Sequence, residues 1–212
     1  MKYAILRRIG ALIVAAMLVG SLTSCKQGKQ EESEESTYDR VSYENLVLSE
    51  HIRPLAYTEQ TVTLKSADAS RADAIWEELL SRAEIITYPQ EAIDYYLAQR
   101  KSVYRHYAEQ NDLSYEEVLE ANEITESDLL AEAKEIVKGD LLYRFVVEDA
   151  NITLTDTEKQ TLFDRYVKKY AEQYGYTEEY IKENMEDLVY DSMLYDKVRE
   201  YLMLHNEFII HP

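Results

Sequence analysis

Three times in the second half of this sequence a hydroxyl residue is followed three positions later by an acid, just ahead of an apolar run. The stretches are Ser114-Tyr115-Glu116-Glu117, Thr125-Glu126-Ser127-Asp128 and Thr155-Asp156-Thr157-Glu158. In such a capping box the hydroxyl accepts from a free amide in the first turn, and the acid reaches back to the amide of the capping residue. The second stretch has Asp where Glu or Gln is usual. These pairs mark where helices begin, and the apolar positions after them repeat at helical rather than strand spacing.

From Asp68 onward the pattern is helical throughout. Ile75, Trp76, Leu79, Leu80 and Ala83 form one apolar stripe. Pro89 suits the first turn of a second helix, where its missing amide is harmless, and that helix carries Ile93, Tyr96, Leu97, Val103, Tyr104 and Tyr107. A short third helix precedes a long fourth with Leu129, Leu130, Ala133, Ile136, Val137, Leu141 and Phe145, weakened locally by Gly139. The fifth presents Leu162, Phe163, Tyr166, Val167, Tyr170 and Tyr174, and Gly175 is placed to end it. Thr177 opens a further region, broken or bent before a final stretch from Leu188 to Leu202. Amphipathic helices must bury their apolar faces together, so the expected fold is all-α: an elongated multi-helix domain with long helical arms.

The N-terminus reads differently. Lys2, Arg7 and Arg8 precede an apolar run from Ile9 to Val19, which is too short to cross a bilayer as a structural helix and has the form of a targeting segment. It closes on Leu22-Thr23-Ser24-Cys25, which resembles the lipobox of bacterial lipoproteins. That resemblance implies cleavage before Cys25, a diacylglycerol on its thiol together with further acyl chains such as palmitate, and anchoring on the extracytoplasmic side of a membrane in the bacterial envelope. The alternatives are an ordinary signal peptide with an incidental cysteine, or an uncleaved anchor. Cys25 is the only cysteine, so no internal disulfide can form. The expected organisation is a signal peptide over 1–24, a lipidated flexible tether over 25–42, an extended or mixed linker over 43–67 and a helical domain over 68–209. Within the linker, Thr61-Val62-Thr63-Leu64 alternates like a short strand, and Pro54 interrupts any long helix.

Charge narrows the partners. Forty-one acids face twenty-three lysines and arginines, and removal of residues 1–24, which hold Lys2, Arg7 and Arg8, moves the formal charge from −18 to −21. No basic patch exists to displace counterions, so nucleic acid is not an expected partner. Nineteen tyrosines stand against three phenylalanines. A tyrosine covers apolar surface while its hydroxyl stays wet, which suits both helix margins and shallow contact surfaces.

The segments from about Asp68 to Ile209, in their order, resemble the C-terminal chaperone domain of trigger factor. Ile75-Trp76-Glu77-Glu78-Leu79-Leu80 followed by Tyr88-Pro89-Gln90-Glu91 is similar to that family's approach to its first long arm. Leu113 to Leu119 resembles the short helix after the arm, and Leu129 to Asp149 with Asn151 to Glu158 resembles the next long helix and its turn. Leu194 to Ile209 is similar to the closing helix and its apolar tail. The sequence departs from trigger factor in having room ahead of Asp68 for neither the ribosome-binding domain nor the FKBP-like prolyl isomerase domain. The resemblance therefore implies binding of unfolded or partly folded exported polypeptides, as in the helical parts of SurA- and PrsA-like foldases, without ribosome docking. Candidate client-binding residues are Tyr96, Tyr104, Tyr107, Tyr166, Tyr170 and Tyr174, each of which has ordinary interhelical packing as its other reading.

Catalytic signatures are sparse. Five glycines form no phosphate-cradling loop, and His51, His106, His205 and His211 are dispersed without metal-ligand spacing. Adjacent acids such as Glu77-Glu78 and Glu178-Glu179 are expected on solvated faces rather than across a substrate cleft. The expectation is an ATP-independent, membrane-tethered holdase with no cofactor beyond the lipid on Cys25, rather than an enzyme. The alternatives are an acidic helical adaptor for one specific envelope protein, or an enzyme whose active groups converge only in three dimensions.

Overall fold

The structure is a computed structural model and describes residues 41, 43 and 45–210. The expected signal peptide, Cys25 and nearly all of the tether lie outside the described residues. Seven helices are described: α1 (Arg71–Arg82), α2 (Gln90–Gln110), α3 (Tyr115–Ala121), α4 (Glu126–Asp149), α5 (Asp156–Tyr174), α6 (Glu178–Asn184) and α7 (Glu186–Leu204). Their starts fall where side chains satisfy free amides. Ser114, Thr125 and Thr155 each accept from the amide three residues on and receive the acid of that residue in return, so Asp128 closes its box as Glu117 and Glu158 do. Ser70 caps α1 and Thr177 caps α6. Pro89 sits one place earlier than expected, as the capping residue of α2 outside its first turn.

The helix ends are equally local. Gly175 terminates α5 in the left-handed region at φ 73°. Asp112, Glu123 and Asn151, at φ 53°, 57° and 50°, make the corresponding turns after α2, α3 and α4. α4 runs unbroken through Gly139, and the bend expected in the last helical stretch is a break at Met185 between α6 and α7.

The fold is not purely helical. Two strands, β1 (Thr61–Leu64) and β2 (Glu207–Ile210), pair in parallel, with Thr61 opposite Glu207 and Leu64 opposite Ile210. The all-α expectation is corrected to a mostly helical fold with this small sheet. β1 follows its alternation, Val62 and Leu64 inward and the two threonines outward. β2 lacks that signal, because its inward residue is Phe208 alone and its partner lies more than 140 residues away in the chain.

Apolar side chains collect into three cores. The central one joins Ile75, Leu79 and Ala83 of α1 to Ala92 and Ile93 of α2, Val137, Leu141, Leu142 and Val146 of α4, and Val198 and Leu202 of α7. Tyr43, Ile52, Tyr57 and Val62 complete it, so the segment ahead of α1 is packed into the body. Each fully buried aliphatic chain here contributes roughly 1.5–3 kcal/mol by leaving water.

The second core holds Tyr104, Ala108, Val118, Leu119 and Leu129, and belongs to a hairpin in which α2 and α4 are capped by α3. The third holds Tyr166, Val167, Ile181, Met185, Val189 and Met193, in a hairpin of α5 and α7 capped by α6. We call these hairpins the first and second arms. α2 and α4, at 21 and 24 residues, are about 31 and 36 Å long at 1.5 Å per residue, so each passes from the central core to an arm's own core. Lys101 pairs with Glu126 at 2.7 Å across the first arm, and Lys182 with Asp164 at 2.7 Å across the second.

Candidate functional site

The six candidate tyrosines are divided between the arms and do different things. In the first arm, Tyr104 is buried in the arm core and Tyr96 is half-buried, its hydroxyl donating to Asp140 Oδ2 at 2.7 Å. Tyr107, one turn beyond Tyr104, is 52% exposed. In the second arm, Tyr166 is buried and donates to Asp196 Oδ2 at 2.6 Å, and burial, helped by that bond, pushes its hydroxyl up to about 12. Tyr170 shares a hydrogen bond with Ser192, and Tyr174 stacks on Tyr170 at 5.4 Å between ring centroids. Five of the six rings therefore take part in internal packing or stacking, and Tyr107 is the one most open to water.

The outer ends of both arms present further apolar surface that the periodicity did not single out. Leu113, in the turn after α2, is 43% exposed near Tyr107 in sequence. On the second arm Tyr180 is 40% exposed and stacks on Tyr176 at 4.6 Å. Helical spacing marks faces that pack; residues at helix ends and turns carry no such signal.

These apolar side chains sit in strongly acidic surroundings. Between His106 and Thr125 there are six acids, Glu109, Asp112, Glu116, Glu117, Glu120 and Glu123, and no lysine or arginine. At the end of the second arm Glu178, Glu179 and Glu183 accompany Lys182, whose charge is taken up by Asp164. Rings and aliphatic groups that would invite self-association are thereby placed among like charges that resist it.

At the base of the first arm the electrostatics are of another kind. Asp140 accepts from Tyr43 at 2.8 Å as well as from Tyr96, and the Arg144 guanidinium lies 4.4 Å from the centre of the Tyr43 ring. Burial raises the Asp140 carboxyl above its ordinary range, against the two hydroxyl donors and Arg144, which pull it down. Burial and the Asp140 charge likewise raise both tyrosines. The cluster joins the segment ahead of α1 to α2 and α4, and its groups are spent on one another.

Among the described residues no three or more His, Cys, Asp or Glu side chains are arranged to hold a metal ion. A shallow cleft of about 180 Å³ on the second arm is lined by Lys159, Gln160, Phe163, Asp164 and Tyr190. The Phe163 and Tyr190 rings in this lining lie 5.1 Å apart between centroids, with the Lys159 ammonium 5.6 Å from the Tyr190 ring centre.

The candidate surface is thus a body with two arms whose ends carry exposed rings and aliphatic groups among acids. Comparison with curated proteins found no match, and comparison with solved structures found none. The family model described as bacterial trigger factor protein C-terminus matches residues 60–203, from the residue before β1 to the last turn of α7. The match takes in both arms and the helices of the body, leaving out the core residues Tyr43, Ile52 and Tyr57 and strand β2, and the chain belongs to the family of trigger factor C-terminal domains.

Proposed function

We propose that this protein is a membrane-tethered, ATP-independent chaperone that holds non-native exported polypeptides. The observation that carries the reading is the family match over residues 60–203, which implies a chaperone-like role and binding of unfolded chains. The exposed side chains at the arm ends, Tyr107, Leu113 and Tyr180, support it. A client segment gains by burying apolar surface against such rings, and no aligned catalytic constellation is needed. Tyr96, Tyr104, Tyr166, Tyr170 and Tyr174 serve in this reading by shaping the arms, with Tyr107 as the contact ring.

The tether is part of the proposal and rests on sequence. Lys2 to Cys25 has the order of a lipoprotein signal, and the lipid on Cys25 would hold the body on the extracytoplasmic side of a bacterial membrane. No described helix is long and apolar enough to cross a membrane.

The test is suppression of aggregation. A soluble form starting at Lys26 is expected to slow light scattering by several unrelated heat-denatured proteins at near-stoichiometric ratios. No effect on any of them overturns the reading. Crosslinking that yields one persistent folded partner instead identifies an adaptor.

A further inference from the structure

Exposed apolar side chains are concentrated at one end of the chain. Of nine large hydrophobic residues exposed among the described residues, four fall between 203 and 210: Met203, Leu204, Ile209 and Ile210. Leu204, at 75%, is the most exposed of the nine, and Ile209 and Ile210 lie on β2.

Among the described residues β2 is also an open edge. The Glu207 amide donates to the Gln60 carbonyl at 2.8 Å, and the register sets Thr61 opposite Glu207. In a parallel ladder this directs the amides and carbonyls of Glu207 and Ile209 towards β1, and those of Phe208 and Ile210 away from it. Among the described residues nothing takes up these outward groups, and the sheet has two strands. Phe208 holds the strand in place, its ring packed on the central core and 5.6 Å from the Arg71 guanidinium carbon. Natural edges are blunted by shortness, charge, proline or a bulge; Glu207–Ile210 is short and carries the charge of Glu207 at its start, but has no lysine or proline, and its ladder is regular.

We propose that the outer edge of β2 receives an extended, uncharged, β-prone segment of a non-native polypeptide as a third strand. The proposal rests on the chaperone reading and adds a mode of capture to it. Main-chain hydrogen bonds to an edge are indifferent to sequence, which suits a binder of many clients, while Ile209 and Ile210 offer apolar contact on the two faces. Charge selects the occupant. A second copy pairing edge to edge would bring together two chains of formal charge −18, with Glu207 of each copy at the joint, whereas a neutral segment meets no such repulsion.

Ile210→Pro removes an outward amide and leaves the donors to β1, Glu207 and Ile209, in place; Ile210→Ala keeps the amide and shortens the side chain. The probe is a fluorescein-labelled octapeptide of alternating threonine and valine, compared with the same peptide methylated at alternate backbone amides, by anisotropy with the full chain in mild detergent. The expected result is that Ile210→Pro and peptide methylation each weaken binding by about tenfold or more, and that Ile210→Ala weakens it less. Equal binding of the methylated peptide to the unmodified chain overturns the proposal without reference to any variant. So does unchanged binding by a folded Ile210→Pro chain, or a dimer in sedimentation equilibrium that Ile210→Pro dissolves. Aggregation suppression by the unmodified chain with binding unaffected by Ile210→Pro removes the edge and leaves the chaperone role. Loss of peptide binding in Ile210→Pro without any suppression by the unmodified chain removes the role and leaves the edge.

Discussion

Tyrosine hydroxyls repeatedly end on carboxylate oxygens. Tyr43 and Tyr96 share Asp140, Tyr57 donates to Asp149 at 2.6 Å, Tyr115 to Glu126 at 2.9 Å and Tyr166 to Asp196. In a chain with far more acids than cations, a phenol supplies an additional donor to a carboxylate, beside Lys101 at Glu126 and Arg144 near Asp140, while its ring covers apolar surface. Asp140 is the most buried of these acids, and its raised carboxyl fixes the sign of a pH effect. The folded state binds this proton more tightly than the unfolded state, so the ionised group costs stability in full above its folded pKa; the cost shrinks as pH falls below that value and is gone below the ordinary aspartate range. Asp140→Asn, which keeps an oxygen for both hydroxyls, is expected to be at least as stable as the parent in urea at pH 7.5, with the difference closing towards pH 4. Asp140→Ala leaves two hydroxyls without their acceptor and is expected to lose about 1–3 kcal/mol. Gly139 offers a second residue-level test. A Cβ placed there meets nothing within 4 Å, so Gly139→Ala is expected to stabilise the chain by roughly 0.5–1 kcal/mol, read as a higher urea midpoint.

At the level of elements, α5 carries the clearest prediction. Its capping acid Glu158 is also paired with Lys197 at 2.6 Å, and this partner and the Thr155 donors hold its carboxyl down to about 2. The group's contribution is complete above the ordinary glutamate range and is lost as pH falls towards 2, so Glu158→Gln is expected to flatten the fall in unfolding free energy between pH 5 and pH 2. Thr155→Ala is expected to cost about 1 kcal/mol and to raise amide exchange at the start of α5 before it affects the central core. The same locality explains what could be read from the sequence. The three capping boxes, the stop at Gly175 and the alternation of Thr61 to Leu64 each depend on neighbours within a few residues. The pairing of β2 with β1 does not, and neither does the fate of each tyrosine. Tyr104 and Tyr107 look alike in sequence, yet one is in the arm core and the other in water, because α3 and α4 cover only one side of α2. Leu113 and Tyr180 were invisible for the complementary reason, since turns and helix ends have no face to be periodic about.

For the whole molecule the acid excess sets the behaviour in salt. Acids outnumber the cations at the arm ends, so screening relieves repulsion within the folded state more than in the expanded chain. The thermal midpoint is expected to rise by a few degrees between about 0.02 and about 0.3 M sodium chloride. The anchoring proposal has its own test: labelled palmitate is expected to enter the unmodified chain in bacterial cells, and Cys25→Ser is expected to abolish both the label and recovery in the membrane fraction. The β1–β2 pair bears on this placement. Because it fastens residue 61 to residue 207, the helical chain between them is a closed circuit in which both arms are excursions leaving from and returning to one clasp. A pull arriving through the N-terminal segment is carried into the body and across the clasp before it reaches either arm. Under the proposed anchoring, force from the membrane enters the molecule through the central core, with both arms beyond it.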